Sequence, residues 1–414
     1  MRGGAAVLVM VALLAGCSTA PQPTSTPPVT ALVGGRVLPS PQAPAILDGV
    51  VLIDGTTITA VGPRETVRVP PGAKVVDCSG GTVTAGFWNS HVHFTGAAFS
   101  GAETATAETL AGALRAMLTS YGVVHVVDTG SYLSNTLALR RRIESGEVPG
   151  PSILTAGAGF APAGGSPYYI LPAKLPELTR PEDAVLVEAE LARGADIVKL
   201  FTGSWATPRS IVVMPIGVVR AAVEAGHRHG KLVFAHPSNS PGARVAIEGG
   251  VDMLAHTFPT SLDGSPWDRA LPAMMKERGV ALIPTLKLFT YELGRAGLPN
   301  ELVERVLGNG VAQTSAFAGL GGELLFGTDV GYMTDYDPAD EFVYLRRAGL
   351  GAMQILAMLT TAPAARFGRS GTGRIAPGQT ADVVVLDGDP AEDVRAFAKV
   401  RMTMRDGRGI YKKM

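Results

Sequence analysis

Short apolar runs alternate with longer segments of helical period along most of this chain, and that alternation restricts its fold most tightly. The runs fall at 82–87, 123–127, 152–156, 195–200, 232–235, 253–255, 281–284 and 324–327. Between them, segments such as 103–120, 137–145, 182–193, 218–229, 269–278 and 301–320 space their apolar residues for one face of a helix. Strands that alternate with helices build a parallel sheet, because each parallel crossover needs a helix's length of chain. Eight such units over about 270 residues predict an α/β fold of (β/α)8 TIM-barrel type. Periodicity alone also suits a doubly wound open sheet. The positions of the reactive side chains decide between the two.

Both ends of the chain read differently. Segments 50–53 and 57–61 are β-rich and flank Asp54-Gly55, a type I′ hairpin signal. Pro70-Pro71-Gly72 marks another turn. Near the C-terminus, 383–386 and 399–404 are similar, and Asp406-Gly407 follows the second. The expectation is a small β-sandwich built from residues 32–83 plus 370–414, enclosing a barrel at 84–369.

The first residues are expected outside the fold. Arg2 precedes a ten-residue apolar run at 5–14, half of the ~20 residues that span a bilayer as a helix. Leu14-Ala15-Gly16-Cys17 resembles a bacterial lipobox. This implies a signal peptide at 1–16, cleavage before Cys17 and a diacylglycerol on its thiol. Residues 17–31, rich in Pro, Ser and Thr, then read as a flexible tether. The expected location is exported and membrane-anchored, on the periplasmic face.

Composition removes other classes. Lys plus Arg and Asp plus Glu both number 36, and losing Arg2 with the leader leaves one net negative charge. A chain so balanced is no phosphate-neutralising nucleic-acid binder. With 46% hydrophobic residues it is not disordered. Two cysteines make neither a disulfide scaffold nor a four-thiolate zinc site. With Cys17 on lipid, Cys78 is left alone.

The reactive residues gather at one end of the runs. His91 and His93 follow the first run in Asn89-Ser90-His91-Val92-His93. Residues two apart on an extended chain point the same way, so both imidazoles can reach one metal ion. Lys199 lies in Ile197-Val198-Lys199-Leu200, where a buried charge is costly. Three readings are open for it: a snorkelling amine at a strand end, a Schiff-base nucleophile, and an amine carbamylated by carbon dioxide. His236 ends 232–235, His256 ends 253–255, and Asp329 follows 324–327. In a barrel, that end is the catalytic face.

This series, HxH on strand one, Lys on four, His on five, His on six and Asp on eight, resembles the metal-dependent amidohydrolase superfamily, in its imidazolonepropionase-like and dipeptidase-like branch. Ala85 to Phe94, Gly122-Val-Val-His-Val-Val-Asp-Thr-Gly130 and the segment from Gly373 to Pro390 carry the resemblance beyond the ligands. Ala85 stands where the family usually has Pro, and Asn89 where it usually has Asp. The resemblance implies two divalent metal ions, zinc first among them, with manganese, cobalt and nickel as alternatives. It implies His91, His93 and Asp329 on the more buried ion and His236 and His256 on the other. A carbamylated Lys199 and a hydroxide would bridge the pair. Asp329 would act as the catalytic proton carrier. The implied reaction is hydrolysis, foremost of amide bonds in dipeptides or N-acyl amino acids. A lactone, ester or phosphotriester substrate, or a binding lipoprotein without catalysis, are the alternatives. Nucleobase deaminases of the superfamily place a Glu shortly after the strand-five His. Here Pro237-Ser238-Asn239-Ser240 follows, which favours a hydrolase with two metals.

Other residues carry less. His227 and His229 suit a helix C-terminus, His125 a core position, and Cys78 a small buried site. Candidate substrate contacts on the strand-end loops are Trp205, Arg209, Lys287, Tyr332 and Tyr168. Arg209 or Lys287 is placed to pair with a substrate carboxylate. The expected partners are a small-molecule substrate and a membrane. The oligomeric state is open.

Overall fold

The structure is a computed structural model that describes Met1 and residues 29–170, 172–258 and 267–413. The expected lipidation site at Cys17 and, Met1 apart, the leader lie outside the described residues. Among the described residues no helix is long and apolar enough to cross a membrane.

Parallel strands carry the site. β1 (Phe87–Val92), β2 (Val123–Asp128) and β3 (Ser152–Thr155) form one sheet in that order. β4 (Val198–Leu200), β5 (Val233–Ala235), β6 (Met253–Ala255) and β7 (Ala281–Ile283) form another. Parallel bridges lie between them: Phe160 with Leu200, Leu282 with Leu324, and Val92 with Val330. The result is a TIM-barrel-like arrangement.

Its inner core is apolar. Trp88, Val127, Ala156, Ile197, Phe234, Met253, Ala281, Ile283 and Leu325 cluster together, and Phe367 stacks on Trp88 at 5.4 Å. The helices bury one face against the outside of the strands. In Ile216–Arg228 that face is Val218, Val219, Ala222 and Val223, the i, i+3, i+4 spacing of a single stripe. Helix Ser240–Gly249 starts at Asn239, whose side chain accepts the Gly242 N–H at 2.8 Å, and stops at Gly250 with φ 91°.

Both termini meet in one eight-stranded sheet. Its order is Arg408–Lys412, Val400–Arg405, Val383–Asp387, Gly81–Ala85, Thr30–Val37, Ile46–Asp54 and Thr57–Pro63, with Lys74–Asp77 also paired to Thr30–Val37. In hydrogen bonding this is a single sheet, where a sandwich was expected. Its first strand begins at Thr30, inside the stretch read as tether. Asp406 and Gly407 both have positive φ, 50° and 70°, as a type I′ turn requires. The other hairpin differs. Asp54 pairs with Thr57, the loop is Gly55-Thr56, and of the two only Gly55 (φ 56°) is left-handed, so that turn is not type I′.

Two runs are also corrected. Run 82–87 divides at Gly86: Gly81–Ala85 pairs with Val383–Asp387 in the terminal sheet, and the site strand begins at Phe87. A Cβ on Gly86 would lie 2.3 Å from Val124 Cγ2, so the chain crosses between the sheets where only glycine fits. Run 324–327 is not a regular strand; it pairs through the bridge at Leu324, and a further bridge lies beyond it at Val330. His125 is the core residue expected. Its ring stacks on Trp88 at 4.4 Å, and its Nε2 meets Asp382 Oδ2 at 2.9 Å, tying β2 to the terminal segment.

Candidate metal centre

His91, His93 and Asp329 come together, with one ligand atom of each within 4.8 Å of the others. Asp329 Oδ1 stands 3.3 Å from His91 Nε2 and 2.9 Å from His93 Nε2. Both His91 nitrogens and Asp329 Oδ1 are buried without a hydrogen-bond partner. Buried polar atoms are rarely left so, and donor atoms converging without hydrogen-bond geometry fit a cation between them. His256 adjoins the group, its Nε2 3.9 Å from Asp329 Oδ2. The His236 and His256 ring centroids are 4.7 Å apart. Those two histidines and Lys199 flank the three-donor cluster and stand outside it.

Local backbone geometry aims these side chains. Of five non-glycine residues at positive φ among the described residues, three lie shortly past strand ends, Ser238 (52°), His256 (90°) and Thr285 (48°), and a fourth, Asp329 (63°), follows run 324–327. Such conformations cost about 1–3 kcal/mol each and gather where geometry serves a site. Sequence carried no direct signal of them. Asn89 shows what replaces the family's usual acid. Its Oδ1 accepts the His91 and Thr328 N–H groups at 3.2 Å each, and its Nδ2 donates to Thr328 Oγ1 at 2.7 Å. A neutral amide thus joins β1 to the Asp329 segment. Asp128 is fully engaged, accepting from Gly130 N, Ser131 Oγ, Thr136 Oγ1 and Thr155 Oγ1. It shapes the loop whose Gly130 carbonyl accepts the His93 Nδ1–H at 2.6 Å.

Electrostatics suit a cation. Burial, aided by the Lys199 charge, pushes His91 down to about 3. Burial also holds His236 and His256 well below the usual imidazole range. His93 moves up: burial opposes its charge, but the Asp329 and Asp128 carboxylates outweigh it. For Asp329 burial works upward, and the surrounding imidazoles reverse it, leaving the carboxyl well below its ordinary value. Near neutral pH His91, His236 and His256 therefore offer bare imidazole nitrogens around an ionised carboxylate, while the carboxylates favour a proton on His93. Lys199 is 1% exposed. Burial lowers its amine to about 8, with partial opposition from the Asp329 and Asp128 charges. Its Nζ stands 5.6 Å from the Phe201 ring, which in turn faces His236 at 5.0 Å.

The family model for the amidohydrolase family matches residues 82–410. The chain belongs to the amidohydrolase family. Ochratoxinase of Aspergillus niger is 24% identical over 225 residues, 51% of this chain and 45% of that protein, so the chain matches under half the length of that curated relative. Enamidase of Eubacterium barkeri is 24% identical over 368 residues, 85% of each chain. Among solved structures, a prolidase complexed with N-methylphosphonate-L-proline is 26% identical with TM-score 0.75, covering 93% of this chain and all of the other.

The expected substrate contacts scatter around the strand ends. Trp205 is half-buried on a hairpin, Gly203–Thr207 with Ser210–Val213, that sequence periodicity did not reveal. Arg209 is exposed beside its turn. Tyr168 and Tyr332 join through Tyr169, with centroids at 5.6 and 5.5 Å, which links the loop after β3 to the one after Asp329. Burial pushes the Tyr332 and Tyr169 hydroxyls up, so both keep their protons as donors.

Lys287 is buried in helix Leu286–Arg295. Its Nζ pairs with Asp335 Oδ2 at 2.7 Å and donates to the Asp337 carbonyl at 2.5 Å. That geometry makes it a latch on the loop after Asp329. Lys287→Met is expected to lower stability by about 1–3 kcal/mol, the usual cost of unmaking a buried charged hydrogen bond, while KM stays within about threefold, under 1 kcal/mol of binding. A tenfold rise in KM at unchanged stability would assign the amine to substrate instead.

Glu341 was not singled out by sequence. It is 1% exposed, accepts the Lys287 N–H at 2.7 Å, and is pushed by burial to about 7. Its folded value lies above the ordinary 4.5, so the folded state holds the proton longer than the unfolded chain. Its contribution to stability is full below pH 4.5 and is lost as pH rises to about 7, some 3 kcal/mol at about 1.4 per unit. Melts of the wild type against Glu341→Gln should therefore diverge across that window, the variant gaining as pH rises. Parallel pH profiles would show that Glu341 is ionised in both states.

Proposed function

We propose that this chain is a metal-dependent hydrolase that cleaves amide bonds in dipeptides or N-acyl amino acids. The observation that carries the reading is the convergence of His91, His93 and Asp329 within 4.8 Å, two of them with ligand atoms buried and unpartnered. The names of its relatives, prolidase, enamidase and ochratoxinase, support the amide class. We read the two parallel sheets as one closed (β/α)8 barrel at 84–369. Its companion sheet is drawn from 32–83 and 370–414.

His91, His93 and Asp329 would hold one divalent ion, and His236 and His256 a second, with a carbamate on Lys199 between them. Zinc suits the imidazole and carboxylate donors. When bound, the ions supply a Lewis acid for the scissile carbonyl and acidify a water molecule. The protein's own part falls first on Asp329, whose ionised carboxylate takes a proton from the attacking water and returns it to the departing nitrogen. The Asn89 amide and the Gly130 carbonyl keep His91 and His93 aimed. Tyr169 and Tyr332, in ring contact, would offer phenol protons, with Trp205 and Arg209 as further candidate contacts. At the N-terminus, Cys17 would carry the lipid that fixes the enzyme to a membrane facing the periplasm.

The test is a hydrolysis screen of zinc-loaded protein against Xaa-Pro and other dipeptides, N-acyl amino acids, lactones and phosphotriesters. Turnover of an amide class above the rest is expected. Turnover confined to lactones or phosphotriesters would overturn the substrate assignment, and failure to bind any divalent ion would overturn the metal centre.

A further inference from the structure

We propose that Thr285 is a positioning residue that sets the tautomer and the aim of His256. Thr285 lies two residues past the end of β7, after Pro284, fully buried, with φ 48° and ψ 49°. A β-branched residue avoids the left-handed region, so the surroundings must hold it there. They do so through the end of β6. His256 N–H donates to the Ile283 carbonyl at 2.9 Å, and Thr257 N–H to the Pro284 carbonyl at 3.2 Å. One residue further on, Phe258 N–H donates to Gln313 Oε1 at 2.9 Å. The backbone around the strained His256 is thereby fastened to β7 and to helix Asn300–Gly319.

The side chains complete the arrangement. Thr285 Oγ1 donates its single proton to the Pro284 carbonyl at 2.8 Å. Its oxygen can then only accept from His256 Nδ1, which lies 2.6 Å away. The imidazole proton is therefore on Nδ1. Nε2 keeps its lone pair and faces Asp329 Oδ2 at 3.9 Å. The opposite tautomer would present an N–H to the carboxylate and nothing to a cation. His93 reaches the same state through the Gly130 carbonyl, which can only accept. His91 has no such partner on either nitrogen. Thr285 thus does for His256 what a backbone carbonyl does for His93. The consequence for a cation rests on the proposed metal centre, but the tautomer belongs to the metal-free protein.

The test uses metal-free full-length protein with ¹⁵N-labelled histidine. Long-range ¹H–¹⁵N correlation reads which ring nitrogen carries the proton, and His256→Gln identifies the His256 signals. The Nδ1-protonated pattern is expected in the wild type and in Thr285→Ser. In Thr285→Val, equal in shape but without the hydroxyl, that pattern should be lost. Zinc affinity should fall by about 10–100-fold in Thr285→Val, as for other partners that orient metal-binding histidines, and stay near wild type in Thr285→Ser. An Nε2-protonated His256 in the wild type would overturn the inference without any variant, and so would an unchanged pattern in Thr285→Val. If the tautomer responds as expected while no variant and no wild type binds zinc, the inference stands and the metal centre falls.

Discussion

Asp329→Asn is expected to remove cation binding at the His91–His93 cluster and to lower kcat/KM by about 10²–10⁴-fold, the span of a lost general base. The substitution isolates charge from shape. Asp329 sits at φ 63°, and asparagine is among the few residues that tolerate this region. The backbone bonds that place it, Asp329 N–H to the His91 carbonyl at 2.9 Å and Met333 N–H to the Asp329 carbonyl at 3.0 Å, do not involve the carboxylate. The metal-free variant should therefore fold. It should melt somewhat below the wild type at neutral pH, because the imidazoles hold the Asp329 carboxyl well below its ordinary value and the ionised form therefore contributes stability to the folded state. Added zinc should raise the wild-type melting temperature by mass action and leave the variant unmoved. Metal analysis and paired melts check this. A variant that still binds zinc and still gains stability from it would show that Asp329 is no ligand.

The candidate donor residues were singled out because each stands at the same end of an apolar run, and of these the structure brings His91, His93 and Asp329 together. His236 follows β5 directly and His256 follows β6, just where the runs at 232–235 and 253–255 stop. The HxH spacing put both rings on one side of the strand, and they lie 5.2 Å apart, but the spacing gained weight only beside the other residues of the series. Where sequence misled, the cause is a contact that periodicity does not encode. The residues of run 82–87 alternate and bury alike, but its two parts serve different sheets, and the break depends on how closely Gly86 approaches Val124. Run 324–327 is apolar enough for a strand, but two residues on the chain turns to left-handed geometry to aim Asp329. Thr285 gave no signal because its partner is 29 positions away on another strand. For Lys287 the sequence showed a lysine past a strand end, and the fold adds what it could not: Asp335 and the Asp337 carbonyl already stand at its amine.

If the proposed two-ion centre holds, Lys199→Met should cost the protein one of its two cations and reduce turnover by about 10²-fold or more, since the group proposed to bridge the ions would be gone. Here stability and activity should move in opposite directions. In the metal-free protein the amine is fully buried and its pKa is lowered from 10.5 to about 8. At pH 7 the folded state must then either bury a charge or give up a proton that the unfolded chain keeps. That difference is worth roughly 3 kcal/mol at about 1.4 per unit. It lessens as pH rises through about 8 and vanishes near 10.5, where the unfolded amine also deprotonates. Methionine fills similar space without charge, so the metal-free variant should be the more stable protein at pH 7, with the gap closing toward pH 10. A carbamate changes this account. The neutral amine attacks the carbon of carbon dioxide, an N–C bond forms, and a proton leaves, so an anion replaces the cation where two metal ions would need one. Wild-type cation uptake should therefore respond to bicarbonate, and that of Lys199→Met should not. If the wild type bound two ions with no such response, and its intact mass matched the unmodified chain, Lys199 would be a plain buried amine and the second ion would need another anchor.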